Sequence, residues 1–567
     1  MFLRPDFLYR NLHRALALCL VVLVSVPFSS LARAQAYVGK PKLVVIIVID
    51  QFRGDYLNRQ RAQFKDRGFN LFMKEGAWFT DCYYDYANTK TAPGHATIGT
   101  GAYSDGHGIE SNEWWDASRS DEKKVTSVED ERYRLVGAPA SDHAVGSSPL
   151  NLRASTLGDE LRLATAGKAR VFGVSLKDRA AILPPGQAAN GAFWIDPASG
   201  QFITSSYYMD QLPDWARQFN AGDRIAQAER EANATGTKVF FDAVGRTPAA
   251  NSYEFDFAKA LIKGENLGQR GVTDLLTISL SANDIQGHKF GPNSDSENQM
   301  ILALDGQFDK FFTWLDQNIG LNNVWLALSA DHGIAPIPDD AAKLGMDSAM
   351  LTMTKVYDHL EEELNKRHSP GAHVTYLMPG PELPYINLSK QAFEKAHVSE
   401  QAAEDEVAAL LPEAVAAQNP APPPMLKAGQ PDGTQPSQHR LPPAPQFAGA
   451  YTRLQMAYGQ LPQTEMGREL AHSYAYHGNW FVMLLLGGYQ MEDQRAYGGT
   501  THFSPWSYDR HVPLAFYGGP FVPGEYHERV APVDLATTFA AELGINFPSA
   551  AVGRVLTQAL KPEQAKQ

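Results

Sequence analysis

Side chains of the types that bind metal ions follow three apolar, strand-like segments of the sequence. Asp50 comes directly after the first segment, and Asp284 and His288 come after the second. Asp331 and His332 follow the third. Because ligands of open α/β sheets gather outside the carboxyl ends of the strands, these side chains could share one rim, where mixed Asp and His ligands suit Zn²⁺. Taken singly, each Asp is more simply explained as a turn residue or a helix cap.

The spacing within these groups carries further information. Asp284 and His288 are four residues apart, so they share one face of a helical turn. Adjacent residues such as Asp331 and His332 point apart in an extended chain. They can bind one metal only if a tight turn follows, which Gly333 would supply. A further histidine, His502, stands late in the chain, in the sequence Thr-Thr-His-Phe-Ser-Pro.

The segment 88–112 contains a candidate phosphate site. Pro93 predicts the start of a helix, with Thr91 close to its N-cap. A hydroxyl at this place lies beside unpaired backbone N–H groups and the positive end of the helix dipole, which suits a phosphate group. The simpler interpretation is that Thr91 only caps the helix.

Taken together, these motifs resemble the alkaline phosphatase superfamily. The nucleophile segment of that superfamily is similar to Thr91-x-Pro-x-His95, Thr100-Gly101 and His107-Gly108-Ile109. Its metal motifs are similar, in the same chain order, to Asp284-x3-His288-x2-Gly291-Pro292, Ser329-Ala-Asp331-His332-Gly333 and Thr501-His502. The phosphodiesterase and nucleotide pyrophosphatase branch shares all of these motifs. The resemblance covers nearly the whole chain after residue 34.

Three polar residues distinguish the branches of this superfamily. Lys177 and Arg179, in Ser-Leu-Lys-Asp-Arg, and Asn112, in Ser-Asn-Glu-Trp-Trp, are similar to the phosphate-irrepressible alkaline phosphatase group. Members of that group use Thr as the nucleophile. The resemblance therefore implies that Thr91 is the nucleophile and that a covalent phosphothreonine forms. As isolated residues, Lys177 and Arg179 would instead be solvated surface charges.

The resemblance also implies two zinc ions as cofactors. The implied ligands form two sets: Asp284, His288 and His502 for one ion, and Asp50, Asp331, His332 and the Thr91 oxygen for the other. Asp55 and His95 lie near the motifs, but neither fits a ligand position of the family. Both are interpreted as supporting or structural residues.

The charge of the substrate separates the possible activities. The group transferred from a phosphate monoester carries more negative charge than that of a diester. Lys177 and Arg179 would neutralise it, and Asn112 would donate to another oxygen. We therefore predict a zinc-dependent alkaline phosphatase that hydrolyses small phosphate monoesters. Two alternatives stay open: a phosphodiesterase, nucleotide pyrophosphatase or promiscuous mono- and diesterase of the same superfamily, and an inactive, metal-stabilised binding protein.

The elements that must position these residues alternate between strands and helices. The continuous apolar run Leu43–Ile49 predicts a strand buried on both faces. Further strands are predicted at Ala169–Val174, Leu275–Leu280, Val324–Ser329, Trp480–Leu486 and Val512–Tyr517, and helices at Asn298–Ile319, Ser348–Lys366 and Glu400–Ala417. This alternation predicts an α/β fold, a layered α/β/α sandwich with a central, mostly parallel sheet like that of alkaline phosphatase, plus insertions.

One catalytic domain, 35–567, is predicted to contain a large insertion. The segment 419–445 holds nine prolines, which predicts a surface loop with polyproline II character. We expect the insertion to span about 360–475 and the chain to return to the core at Trp480.

The composition and the N-terminal segment limit the partners and the location. The 567-residue chain has 50 basic and 63 acidic residues, so its formal net charge of −13 makes it a poor partner for nucleic acid. Residues 1–34 have a basic start, an apolar run and small residues at a cleavage position, the pattern of a secretory signal. The apolar run is too short to span a bilayer. We therefore expect a periplasmic or secreted protein whose Cys82 is buried and unpaired.

Overall fold

The computed structural model describes residues 39–116, 123–137, 144–234, 239–418, 444–475, 479–493 and 499–562. These residues belong to one compact unit, 36–567. The predicted signal 1–34 and residues 419–443 of the proline-rich segment lie outside the described residues. Within the described ranges, no helix has both the length and the apolar character needed to cross a membrane.

A mixed sheet of eleven strands forms the centre of the structure. The strands of the described chain are β1 Leu43–Ile49, β2 Ala77–Phe79, β3 Glu113–Trp115, β4 Lys124–Thr126, β5 Glu129–Val136, β6 Val145–Ser147, β7 Val171–Ser175, β8 Gly191–Ile195, β9 Phe202–Ser205, β10 Asp274–Leu280, β11 Val324–Ser329, β12 Ala349–Leu351, β13 Tyr385–Asn387, β14 Phe447–Thr452, β15 Phe481–Leu486, β16 Gln490–Glu492, β17 Leu514–Tyr517 and β18 Gly524–Tyr526. The order in the central sheet is β18-β2-β17-β11-β1-β10-β7-β8-β9-β5-β6. Strands β11-β1-β10-β7-β8 are parallel, and antiparallel pairs lie towards both edges. This confirms the predicted α/β class with a parallel centre.

Helices connect and cover the strands. They run over Asp55–Gln60, Phe69–Glu75, Thr91–Thr100, Ser104–His107, Leu157–Ala164, Asp178–Ile182, Asp214–Ala221, Arg224–Glu231, Phe240–Val244, Pro248–Gly264, Ala282–Phe290, Asp295–Asn318, Pro338–Lys343, Met353–His368, Lys390–Lys395, Glu400–Ala416, Arg453–Ala457, Glu465–Ser473, Ser507–Arg510 and Val533–Leu543. The helix predicted from Asn298 begins three residues earlier because Ser294 caps it, accepting the Glu297 N–H. The helix predicted from Ser348 begins later because β12 precedes it.

The first strand lies at the centre of the core. Strand β1 pairs in parallel with β10 and β11, and all seven of its residues are buried. A strand that is covered on both faces has no polar face, which explains its continuous apolar sequence. Cys82 is buried, as expected. The strand predicted from Val512 begins at Leu514, after Pro513, which has no N–H to give to a ladder.

A second, three-stranded sheet corrects one prediction. Strand β15, predicted from Trp480 as the return to the core sheet, instead lies between β13 and β14. Its residues Val482 and Leu484 belong to a hydrophobic cluster separate from that around β1. The prediction was wrong because a continuous apolar run indicates burial on both faces but does not specify the sheet to which the strand belongs.

Candidate active site

Four neighbouring parallel strands bring the predicted site residues to one edge of the sheet. In the order β11-β1-β10-β7, Asp331 follows the first strand, Asp50 the second, Asp284 the third and Lys177 the fourth. Parallel strands that lie side by side end at the same edge, so residues distant in sequence meet there. The structure thus brings together the three carboxylates that the sequence analysis selected.

The first candidate metal group consists of Asp284, His288 and His502. Their ligand atoms lie within 4.8 Å of one another. Asp284 and His288 lie on the helix Ala282–Phe290, where the four-residue spacing brings His288 Nε2 to 3.2 Å from Asp284 Oδ1. His502 comes from a loop, and its Nε2 atom lies 4.0 Å from the same oxygen. The helical geometry predicted from the spacing is confirmed.

The second candidate group lies around Asp50 and Asp331, both fully buried. The ligand atoms within 4.8 Å of one another are those of Asp50, Asp331 and His95, so His95 takes the place in this group where the resemblance implies His332. His332 lies next to it, with Nε2 at 3.3 Å from Asp331 Oδ2. Both of these atoms are buried and have no hydrogen-bond partner among the described residues.

The ring nitrogens of His95 have other partners. Its Nδ1–H donates to the Thr91 carbonyl at 2.9 Å, and its Nε2 lies 2.8 Å from the Ser279 hydroxyl. Burial disfavours a charged imidazole, but contacts with Asp50 and Asp331 outweigh burial and raise the pKa of His95. A ring engaged through both nitrogens has no lone pair to offer a metal, so this geometry favours a structural role for His95.

The three histidines of the implied ligand sets share one orientation. Each uses its Nδ1–H to donate to a backbone carbonyl, which leaves Nε2, the nitrogen near Asp284 or Asp331, as the acceptor. The carbonyls are those of Thr500 for His288, Gly333 for His332 and Thr89 for His502. These hydrogen bonds from Nδ1–H fix the tautomer in which Nε2 can bind a metal ion.

The donor set of the pocket fits a pair of divalent cations. It combines three buried carboxylates with three imidazoles. Two of its atoms, Asp331 Oδ2 and His332 Nε2, are buried and have no hydrogen-bond partner among the described residues. Burial raises the pKa of Asp331, and the nearby His332 opposes it only in part. Burial also acts on Asp50, but the Lys177 ammonium and the contacts with His95 together outweigh it and lower the pKa of Asp50. Anionic, poorly solvated groups of this kind are the usual ligands of Zn²⁺.

Thr91 is the first residue of the helix Thr91–Thr100 and is buried. The N-cap position belongs to Lys90, so the simpler interpretation of Thr91 as the cap is wrong. The first turn of this helix packs closely against the backbone of Asp331. A Cβ placed on Gly94 would lie only 2.3 Å from the Asp331 carbonyl oxygen. The Thr91 carbonyl is joined through His95 to both carboxylates of the second group.

Two of the predicted phosphate-binding residues, Lys177 and Asn112, contact the candidate metal groups or the start of the helix Thr91–Thr100. Lys177 Nζ lies 3.0 Å from Asp50 Oδ2 and 2.6 Å from Asp284 Oδ2, so one ammonium contacts a carboxylate of each group. Its side chain is only 10% exposed. The buried Nε of Arg179 has no hydrogen-bond partner among the described residues. Asn112 Oδ1 accepts the backbone N–H of Ala92, in the helix Thr91–Thr100, at 2.8 Å, so its NH₂ is the end that can donate to another group. The low exposure of Lys177 and the buried Nε of Arg179 argue against the interpretation of these two residues as solvated surface charges.

Several supporting contacts had no signal in the sequence. Thr89 Oγ1 accepts the N–H groups of Phe503 and Ser504 at 3.2 and 3.0 Å, which joins the segment before Thr91 to the loop of His502. Lys90 Nζ lies 2.7 Å from a Glu382 oxygen and 4.3 Å from the centre of the Phe503 ring. Glu382 lies in the predicted insertion, so that region reaches the site.

Asp55 takes part in a separate ion-pair cluster. Its carboxylate contacts Arg53 at 2.9 Å and Arg59 at 2.7 Å. These contacts account for both carboxylate oxygens, and they agree with the supporting role expected for Asp55.

Residues 44–455 match the family described as type I phosphodiesterase / nucleotide pyrophosphatase. The chain belongs to this family. It is 32% identical to alkaline phosphatase PhoV of Synechococcus elongatus, over 92% of this chain and 94% of the relative. It is 31% identical to alkaline phosphatase PafA of Elizabethkingia meningoseptica, over 92% and 95% of the two chains. These similarities confirm the resemblance to the alkaline phosphatase superfamily.

Solved structures of this superfamily share the fold. The crystal structure of wild-type alkaline phosphatase PafA superposes with a TM-score of 0.77 at 28% identity and covers 92% of this chain and 100% of its own. Murine ectonucleotide pyrophosphatase / phosphodiesterase 5 has a TM-score of 0.50 at 14% identity over 92% of this chain and 100% of its own. The second likeness concerns the fold alone.

Proposed function

We propose that this chain is a two-zinc alkaline phosphatase that hydrolyses small phosphate monoesters through a phosphothreonine at Thr91. The relatives named alkaline phosphatase, similar over nearly the whole chain, support a phosphoric monoester hydrolase. The observation that carries the proposal is the position of Lys177, whose ammonium touches Asp50 and Asp284 and so lies between the two metal groups. A cation at this place can hold the third charged oxygen of a monoester.

The residues divide the reaction between them. Zinc ions, when bound by the two groups, supply positive charge that favours an ionised hydroxyl and stabilises a leaving oxygen. Thr91 Oγ1 attacks phosphorus in line, and the new P–O bond forms as the alcohol departs. Lys177 and Arg179 neutralise the non-bridging oxygens, and the Asn112 NH₂ donates to another. Water then attacks the phosphothreonine from the side of the departed alcohol, which releases phosphate and restores Thr91.

A phosphodiesterase is the second candidate function. It is supported by the name of the family that residues 44–455 match. A diester presents a neutral second ester group where a monoester presents a charged oxygen, so a diesterase gains little from two cations at this place. The partly buried Lys177 and Arg179 therefore favour the monoesterase, with diester hydrolysis as a side activity.

Two further parts of the proposal concern the location of the protein and its domain organisation. We propose that residues 1–34 export the chain to the periplasm or the medium, and that the region 360–475 is an insertion into one catalytic domain.

An inactive binding protein is distinguished from an enzyme by counting the bound zinc ions while activity is followed through chelation and refilling. Activity that is lost with zinc and returns with two ions per chain supports the enzyme, and activity independent of zinc contradicts the proposal.

The nucleophile is tested by trapping the covalent intermediate. Zinc-loaded protein is quenched in acid during turnover of an aryl phosphate, and the phosphopeptides are mapped by mass spectrometry. We expect phosphate on Thr91, none in Thr91→Ala, and normal labelling in Thr100→Ala. Thr100 is a matched control because it lies on the same helix and its hydroxyl already donates to the Ala96 carbonyl. Labelling that persists in Thr91→Ala would exclude Thr91 as the nucleophile.

A further inference from the structure

Gln51, the residue after Asp50, contacts both candidate metal groups. Its backbone N–H donates to Asp331 Oδ1 at 2.9 Å, and its side-chain Nε2 donates to Asp284 Oδ1 at 2.6 Å. The side chain is fully buried. One residue therefore holds a carboxylate of each group, through its backbone on one side and its amide on the other.

The surrounding chain is shaped to hold Gln51 in this conformation. Its φ of 61° lies in the left-handed region, which a residue with a Cβ rarely adopts unless its contacts require it. The helix Ala282–Phe290 leaves room for the side chain only because residue 287 is glycine. A Cβ on Gly287 would lie 2.0 Å from Gln51 Oε1. Asn283 Nδ2 also donates to the carbonyl of Asp50 at 3.1 Å, which fixes the turn from the other side.

The amide of Gln51 acts on the oxygen of Asp284 that matters for metal binding. Oδ1 is the oxygen that faces the imidazoles, at 3.2 Å from His288 Nε2 and 4.0 Å from His502 Nε2. The other oxygen, Oδ2, faces Lys177 at 2.6 Å. The two contacts together fix the rotation of the carboxylate. Loss of the amide leaves the imidazoles alone to hold Oδ1 against the Lys177 ammonium at Oδ2.

We propose that Gln51 is a positioning residue that orients Asp284 for zinc and thereby sets the affinity of the Asp284, His288 and His502 group. The inference rests on the proposed function, because it takes both groups to bind zinc. Removing a hydrogen bond to a metal-binding side chain typically lowers metal affinity 10- to 100-fold. The group around Asp50 keeps its affinity when only the side chain changes, because the backbone N–H to Asp331 remains.

The test is a zinc titration of the full chain against a chelating indicator, with the ions counted by mass spectrometry. Gln51→Met keeps the length of the side chain but lacks the donor, and we expect one of two zinc ions to bind about 10- to 100-fold more weakly. Gly287→Ala should have the same effect, since its methyl group displaces the amide. Gln286→Met is the matched control. It removes a buried amide from the same helix, one that donates to the Ser296 carbonyl.

The outcomes separate this inference from the proposed function. Wild-type protein that binds no zinc contradicts the proposed function itself. Wild-type protein with two ions, together with unchanged affinity in both Gln51→Met and Gly287→Ala, overturns the role of Gln51 and leaves the function intact. A drop in the unfolding temperature of the metal-free variants without a change in zinc affinity also overturns it, because that is the result of a purely structural contact.

Discussion

Replacing Lys177 and Arg179 together by alanine should impair monoester hydrolysis far more than diester hydrolysis. Both cations are largely shielded from solvent, with side-chain exposures of 10% and 26%. A hydrogen bond to a charged group contributes about 1.5–3 kcal/mol, so two such bonds contribute about 3–6 kcal/mol. Since each 1.36 kcal/mol is a factor of about ten in rate, kcat/KM for a monoester should fall by about 10²–10⁴.

A diester should lose much less from the same change. Its transferred group carries one negative charge fewer, so we expect a loss of about tenfold or below. The assay compares kcat/KM for an aryl phosphate and a bis-aryl phosphate. Because Lys177 also contacts Asp50 and Asp284, zinc is counted in every preparation to separate substrate binding from metal loading.

A matched control tests whether the loss of any positive charge has the same effect on the two rates. Lys65→Ala removes an exposed ammonium paired with Asp309 at 3.5 Å on the surface, and it should leave both rates unchanged. Equal losses on monoester and diester in the double variant, at full zinc loading, would refute the assignment of these cations to the extra charge of a monoester.

Two further predictions concern stability. Chelation of zinc should lower the unfolding temperature. Each bound ion, at a free concentration 1,000 times its dissociation constant, adds about 4 kcal/mol to the free energy of unfolding. Calorimetry with and without chelator measures this effect, and an unchanged unfolding temperature would contradict it. Burial raises the pKa of Glu110 to about 8, well above its ordinary value of 4.5. Its stabilising contribution is therefore complete below pH 4.5 and is lost as the pH rises through 8, by about 5 kcal/mol. Glu110→Gln should flatten the fall in stability between pH 5 and 9 in thermal melts, and an unchanged slope would contradict the burial argument.

The sequence predicts the parts of this fold that depend on local pattern. The apolar run of β1 predicts a strand covered on both faces because such a strand has no polar side. The four-residue spacing of Asp284 and His288 predicts one helical face because the helix repeat requires it. Neither inference needs knowledge of distant parts of the chain.

Contacts that depend on tertiary packing could not be predicted in this way. The sheet that β15 joins is decided by its neighbours, and its own apolar residues fit either sheet. Gln51 looks like any polar residue after a strand until its left-handed backbone and its partners Asp284 and Asp331 are known. Thr89 likewise has no signal beyond its position near Thr91, because its contacts lie more than 400 residues away in sequence.

Zinc-edge anomalous diffraction from crystals of the zinc-loaded protein tests the central claim most directly. We predict two anomalous peaks per chain, one bound by Asp284, His288 and His502 and the other by Asp50, Asp331 and His332, with the Thr91 oxygen at the second ion. A single peak would contradict the account. So would a second ion that is bound by His95 and lies away from Thr91.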